Sequence, residues 1–230
     1  MAQGQGSTDQ AAARAWAYGD PAGFQRLIDL LVEASVEFVA LAMIAQAGFM
    51  LAILLPAAGM VREKQSGTLE QIRVTPIRPH ELFVGKILPP IIVSTGSLLP
   101  SLLVARLMGV PLNGDLLTFV ALNFLALLAA VSIGIFIGAV TSTLQQALLM
   151  SFFGLFPLLF LSGSVTPIES MPDWLQGVVQ VSPLRHAIAI VSSIFLKGAG
   201  FRELWPHAAA LTAIAAPLFA TSWLIFKRQW

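Results

Sequence analysis

Residues 116–140 read LLTFVALNFLALLAAVSIGIFIGAV, followed by the polar run Thr141-Ser142-Thr143-Leu144-Gln145-Gln146 and then by a second apolar stretch, 147–168. Between Asp115 and Glu169 no side chain carries a full charge. A helix crosses hydrocarbon with about 20 mostly apolar residues, so the interval is too long for one crossing. The polar run divides it into two lengths, each sufficient for a span. Working outward, three more uncharged intervals meet the same criterion: 38–61 between Glu37 and Arg62, 87–105 between Lys86 and Arg106, and 204–226 between Glu203 and Lys227. Each run is continuously apolar, where barrel strands would alternate every second residue. The sequence therefore predicts an all-α integral membrane protein with five transmembrane helices. Pro100, Pro157 and Pro217 fall inside spans and predict kinks that neighbouring helices accommodate. Gly134, Gly138 and Ser142 form a small-residue face on the third span, which predicts close helix packing within one subunit.

Composition agrees and narrows the function. Of the 230 residues, 57% are hydrophobic and 11% charged, against about a quarter charged in soluble domains. The formal net charge of +1 gives no basic excess of the kind that neutralises a nucleic-acid backbone. With no cysteine, disulfides, thiolate nucleophiles and cysteine metal sites are excluded, and His80, His186 and His207 are too scattered in sequence to predict a metal site. No Asp, Glu, Lys or Arg lies near the middle of a span, which argues against an ion-coupled carrier. Gln46, Ser97 and Asn123 are the polar side chains that predict a substrate path, weakly, because each also serves as a helix–helix hydrogen bond.

Arg62, Lys64, Arg73, Arg78 and Lys86 crowd the loop between the first two spans, and Lys227 and Arg228 end the chain. The positive-inside rule predicts that both face the cytoplasm. Five spans then place the 106–115 loop, the 169–203 segment and the N-terminus outside. Residues 1–35 read as an extracytoplasmic segment, unstructured at first and helical from Phe24, with Asp29, Glu33 and Glu37 as a solvated acidic stripe. Residues 36–230 form the transmembrane domain. In the 169–203 segment, Trp174, Leu175 and the run 187–196 are too apolar for open water, which predicts interfacial or re-entrant helices.

In the first loop, Thr68 after Gly67 is a candidate N-cap, with Gln71 three residues on to complete a capping box, and Thr75-Pro76 as the stop. Leu69, Ile72 and Pro76 share one side of this short helix, rimmed by Glu70, Arg73 and Arg78. Such a shape suits docking to a protein, and equally a basic loop that fixes topology and touches anionic lipid.

The run Arg62-Glu63-Lys64-Gln65-Ser66-Gly67-Thr68-Leu69-Glu70-Gln71, followed by Val74-Thr75-Pro76 and Gly85-Lys86, resembles the cytoplasmic coupling loop of ABC-2 type transporter permeases, especially the multidrug export branch. Leu161-Ser162-Gly163, the stretch from Pro167 to Leu175, Pro183-Leu184-Arg185 and Ile194-Phe195-Leu196-Lys197-Gly198 resemble that family's external region before the last span. The resemblance covers roughly residues 38–228. It implies an inner-membrane permease subunit, not an enzyme, that exports amphiphilic, drug-like or lipid-like cargo as a homo- or heterodimer with cytoplasmic ABC ATPase subunits. Under it, Gly67, Thr68, Leu69, Glu70, Ile72, Thr75 and Pro76 make the coupling helix, and Pro167, Pro183, Leu184 and Arg185 an extracytoplasmic gate. No cofactor is bound directly. Gly85-Lys86 lacks the glycine spacing of a phosphate-binding loop, so ATP is used by the partner.

Members of that branch usually carry a further N-terminal span and a large external domain ahead of the region matched here. Their lack predicts a chain that does not export alone. The competing readings are a truncated half-permease without independent transport and a passive channel or membrane-organising protein.

Overall fold

The computed structural model describes residues 21–67, 77–107, 115–164 and 168–229, and among these all regular structure is helical. In chain order the helices are α1 (Pro21–Gln65), α2 (Pro79–Leu107), α3 (Leu116–Val140), α4 (Leu144–Phe160), a 3-10 turn at Ile168–Ser170, α5 (Asp173–Val179), α6 (Pro183–Lys197) and α7 (Phe201–Gln229). The chain divides into two compact units, Met1–Ala40 and Leu41–Trp230. In the first, residues 21–40 are helical, and Asp29 of the acidic stripe is exposed and accepts from Gln25 four residues earlier at 3.4 Å.

In the second unit, α3 is the hub. It packs against α2, α4, α6 and α7, and its buried residues include Ala126, Ala129, Ala130, Gly134 and Gly138. Apolar burial between helices is no gain over lipid contact, so close backbone approach and dispersion must hold them together. The predicted glycine face supplies that approach to α1. A Cβ at Gly138 would sit 2.8 Å from Met60 Cβ and 3.0 Å from the Ala57 carbonyl oxygen, and one at Gly134 would sit 2.6 Å from Pro56 Cγ and closer still to the Ile53 carbonyl oxygen. Both glycines thus pack inside one subunit. On the other side of α3, the buried Ser222 hydroxyl of α7 donates to the Ser132 carbonyl at 2.7 Å. Phe83 of α2 meets Phe219, Trp223 and Phe226 of α7 edge-on or tilted, with ring centroids 5.0–5.4 Å apart.

The ends of α3 follow local chemistry. Asp115 is the N-cap, its carboxylate accepting from the Leu117 and Thr118 N–H groups at 3.2 and 3.1 Å and from the Thr118 hydroxyl at 2.7 Å. The Thr118 hydroxyl first, then the two N–H groups, hold this carboxyl below the usual carboxylate range. At the polar run that divides the long apolar stretch, Thr143 caps α4 with a full capping box: its hydroxyl accepts from Gln146 N–H, and the Gln146 side chain accepts from the Thr143 N–H.

Helices Ser35–Gln65, Pro79–Pro100, Leu116–Val140 and Phe201–Arg228 are long and apolar enough to cross a membrane. The fourth expected span, 147–168, differs from expectation. Its helix covers 17 residues, Leu144–Phe160, about 26 Å at the helical rise and short of a roughly 30 Å hydrocarbon core. Pro157 offers no N–H to the Phe153 carbonyl, and the chain leaves the helix through Gly163 at φ 82°. The α5–α6 pair is bent by 78° and qualifies as a broken span or re-entrant loop, the class expected for the 169–203 segment. Pro183 takes the first turn of α6, where its missing N–H costs nothing. Gly198 in the left-handed conformation ends it, with N–H bonds from Gly198 to Ile194 and from Ala199 to Ser193.

Candidate functional site

One end of the second unit gathers the roots of the basic loop, the turn after α3 and the end of α7. The last turn of α1 carries Glu63 and Lys64 on neighbouring positions, and they reach in different directions. Lys64 Nζ donates to the Gly138, Ala139 and Thr141 carbonyls at 2.8, 2.6 and 3.3 Å. Gly138 and Ala139 lie in the last turn of α3 and Thr141 is its C-cap, so the ammonium sits at the negative end of the helix dipole. Glu63 pairs with Lys86 in the second turn of α2. Lys86 is nearly buried, its side chain 9% exposed, and its ammonium lies 5.9 Å from the Phe226 ring of α7. The two roots of the 67–78 loop are therefore joined to each other by an ion pair, and one root is tied to the hub helix. In the sequence Lys64 and Lys86 stand as topological charges and as members of the family-like loop motif. Which carbonyls or carboxylate each reaches depends on the helix packing.

Gly67 is described and adopts φ 69°, a left-handed turn that suits glycine and ends α1 just before the expected coupling helix. Thr68, Leu69, Glu70, Ile72, Thr75 and Pro76 lie outside the described residues, as does Pro167.

Of the three path candidates, the structure brings one to a cavity. Gln46 lines a pocket of about 320 Å³ between α1 and α4, together with Met43, Met50, Phe152 and Phe156. Its amide donates to Ser164 Oγ at 2.5 Å, and Ser164 shares a 2.8 Å bond with Ser162 Oγ. The lining is apolar, polarisable and aromatic with one amide at its edge, a surface that accepts flat or flexible apolar groups with little directional demand. Ser97 donates to the Ser94 carbonyl of its own helix at 2.8 Å. Asn123 is buried in α3, its Nδ2 without a hydrogen-bond partner among the described residues. Neither lines the Gln46 pocket.

At the opposite end, Leu184 is fully buried and Arg185 half-buried, with its Nη1 enclosed and unpartnered among the described residues. His186 and His207, distant in sequence, come together: their Nδ1 atoms are 3.1 Å apart, and His186 Nε2 is 2.9 Å from the Gln180 carbonyl. A carbonyl only accepts, so His186 carries its proton on Nε2 in the neutral form and accepts at Nδ1 from His207 Nδ1–H. This pins α6 to α7. Among the described residues no group of three or more His, Asp or Glu side chains is placed to hold a metal. Trp174 and Trp205 are 71% and 63% exposed, as interfacial belt residues are.

Comparison with known proteins gives this arrangement its context. Residues 8–196 match the family model described as ABC-2 type transporter, a match that begins well ahead of the first expected span. The chain is 37% identical to the inner membrane transport permease YhhJ of Escherichia coli over 183 residues, 78% of this chain and 48% of that protein. It is 33% identical to the "Probable multidrug ABC transporter permease YbhR" of the same organism, covering 82% of this chain and 51% of the relative. The daunorubicin resistance ABC transporter permease protein DrrB1 of Streptomyces coeruleorubidus matches at 27% over 66% of this chain and 56% of its own length. The chain thus spans about half the length of the curated relatives it matches. Apolar helices packed through small residues, a loop braced by ions at its roots and a family match over most of the chain lead to one conclusion: this chain belongs to the ABC-2 type transporter family.

Proposed function

We propose that this chain is the membrane-spanning subunit of an ATP-driven exporter in the inner membrane, paired as a dimer with cytoplasmic ABC ATPase subunits and moving amphiphilic, drug-like or lipid-like cargo outward. The observation that carries this reading is the bracing of the 67–78 loop. An ion pair across its roots and the Lys64 tie to α3 make the loop a handle on the hub helix rather than a slack connection. In this reading the basic end and the C-terminus face the cytoplasm, and the helix from Thr68 to Thr75 seats in the ATPase, with Glu70 as its charged contact and Leu69 and Ile72 as apolar anchors. ATPase closure moves the handle, and α1 and α3 tilt together. The Gln46 pocket supports an amphiphilic cargo, and relatives named for multidrug and daunorubicin resistance point the same way. Pro183, Leu184 and Arg185 at the α6 start, with Pro167, would form the exit gate.

The test is a double variant, Leu69→Asp with Ile72→Asp, and Glu70→Ala separately, in the chain co-purified with its ATPase. A charge left unpaired in a desolvated contact costs several kcal/mol, so substrate-stimulated hydrolysis should fall by at least about tenfold in the double variant. Unchanged coupled hydrolysis in a correctly inserted double variant overturns the coupling role.

A further inference from the structure

A second cavity, of about 290 Å³, opens between α1 and α2 beside the Glu63–Lys86 pair. Its lining extends from Glu63 to Leu55, eight residues or about 12 Å along α1, so it runs from the loop end into the apolar part of the bundle. Its volume is near the lower limit for small-molecule sites, enough for one apolar chain or ring system.

Two of its wall residues are glycines, Gly59 and Gly85, one from each helix. A Cβ at either would meet nothing within 4 Å, so neither glycine serves close approach between the helices of this chain. In a helix interior glycine is unfavourable relative to alanine, and here the only thing it leaves is room.

The polar side of the wall is unbalanced in one direction. Lys86 and Glu63 neutralise each other through Glu63 Oε2, which leaves Oε1 without a partner among the described residues. Pro89 and Pro90 also line the cavity. Lacking N–H groups, they give no helical hydrogen bond to the carbonyls of Gly85 and Lys86 four residues earlier. The residues of the wall thus offer a carboxylate oxygen outside the ion pair and two carbonyls that lack the proline N–H four residues on, beside an ion pair that already balances its own charge.

We propose that this cavity binds an uncharged amphiphile with a single apolar chain and a hydroxyl-bearing head: the chain lies along Gly59 and Gly85, and the head donates to Glu63 and to the carbonyls to which Pro89 and Pro90 offer no N–H. The site is separate from the Gln46 pocket, and the proposal does not depend on export. An ester without hydroxyls cannot donate, and neither can an ionised carboxylate. A hydroxyl head of this kind belongs both to a membrane monoacylglycerol and to a hydroxylated small molecule arriving from solution.

The experiment uses the full chain, without ATPase, in nanodiscs of phosphatidylcholine, photolabelled with diazirine probes of equal chain length: a monoacylglycerol, its fatty-acid methyl ester and the free fatty acid. Peptides covering 55–63 and 85–93 should be labelled about tenfold more by the monoacylglycerol than by either other probe, the effect of two hydrogen bonds of ordinary strength. Gly59→Leu should abolish that labelling. Pro89→Ala, which restores an N–H to the Gly85 carbonyl, should leave the chain folded and reduce the preference over the methyl ester. Polymer-extracted native particles carrying a co-purified glycerol-headed lipid identify the membrane as the source, and particles free of it identify a ligand from solution. Equal labelling by the three probes, preference for the free acid, or undiminished labelling in a folded Gly59→Leu variant overturns the proposal. Because no nucleotide or transport is involved, that failure leaves the coupling reading standing, and the loop variants above can fail without touching this one.

Discussion

At Gly134 an added methyl group would meet Pro56 Cγ of α1 at 2.6 Å, whereas at Gly59, three residues beyond Pro56, it would meet nothing within 4 Å. The same residue type stands on two faces of one helix bundle for opposite reasons. On α3 the absent side chain lets two backbones touch, and the contact holds in lipid because dispersion needs proximity and not the exclusion of water. Between α1 and α2 the absent side chain leaves space that neighbours do not fill. A small residue in a membrane helix is thus no evidence of packing until its surroundings are known.

The sharpest way to break this comparison is to enlarge both kinds of position. Gly134→Leu should prevent the α1–α3 contact altogether, seen as loss of a folded, monodisperse species in mild detergent. Gly134→Ala should lower stability by about 1–3 kcal/mol, the usual effect of overpacking, measured as the midpoint of unfolding in mixed detergent. A midpoint equal to the parent's would mean that the α1–α3 contact is looser than described. The second effect is smaller and opposite in sign: Gly59→Ala should raise the same midpoint by up to about 1 kcal/mol, since alanine is the better helix former and its methyl group has room. A fall in stability at Gly59 would remove the distinction between the two faces.

The smallest effect comes from the far end of α3 and tells whether the hub is held by its flank or its cap. Asp115→Ala should destabilise slightly, and only where the carboxylate is charged. Because the folded pKa lies below the unfolded one, the cap contributes fully above the unfolded value and its contribution disappears as pH falls through the folded value. Parent and variant midpoints should separate at neutral pH and begin to draw together as pH falls below about 4, the ordinary Asp value. A separation that stays constant as pH is lowered from neutral through the carboxylate range would assign the effect to something other than the charged cap.

The spans were legible because charge is too costly to leave in hydrocarbon, so gaps between charged residues report crossings directly. The Gly134/Gly138 face was legible for the same reason that it is stable: spacing by four puts both glycines on one stripe. The early end of α4 was harder to read, although Pro157 and Gly163 both marked it, because membrane helices often run through proline when neighbours satisfy the backbone. What pattern alone did not reveal were the meetings across helices: Lys64 with the end of α3, Glu63 with Lys86, and His186 with His207. Each depends on the rotation and depth of two helices, quantities that hydropathy averages away. Of the expected path residues, Gln46 was separated from Ser97 and Asn123 only by the cavity beside it.

Lys64 has three ammonium hydrogens, and each finds a main-chain oxygen, those of residues 138, 139 and 141. The grip on α3 is therefore indifferent to which side chains occupy positions 139 and 141, since every amino acid supplies the same carbonyl. Substitution can wander on the α3 side of this joint without loosening it, while on the α1 side one position bears the whole constraint. In a library of variants the joint would look like a single intolerant lysine facing a permissive partner, and the pair would leave no trace of covariation to betray that the two segments touch.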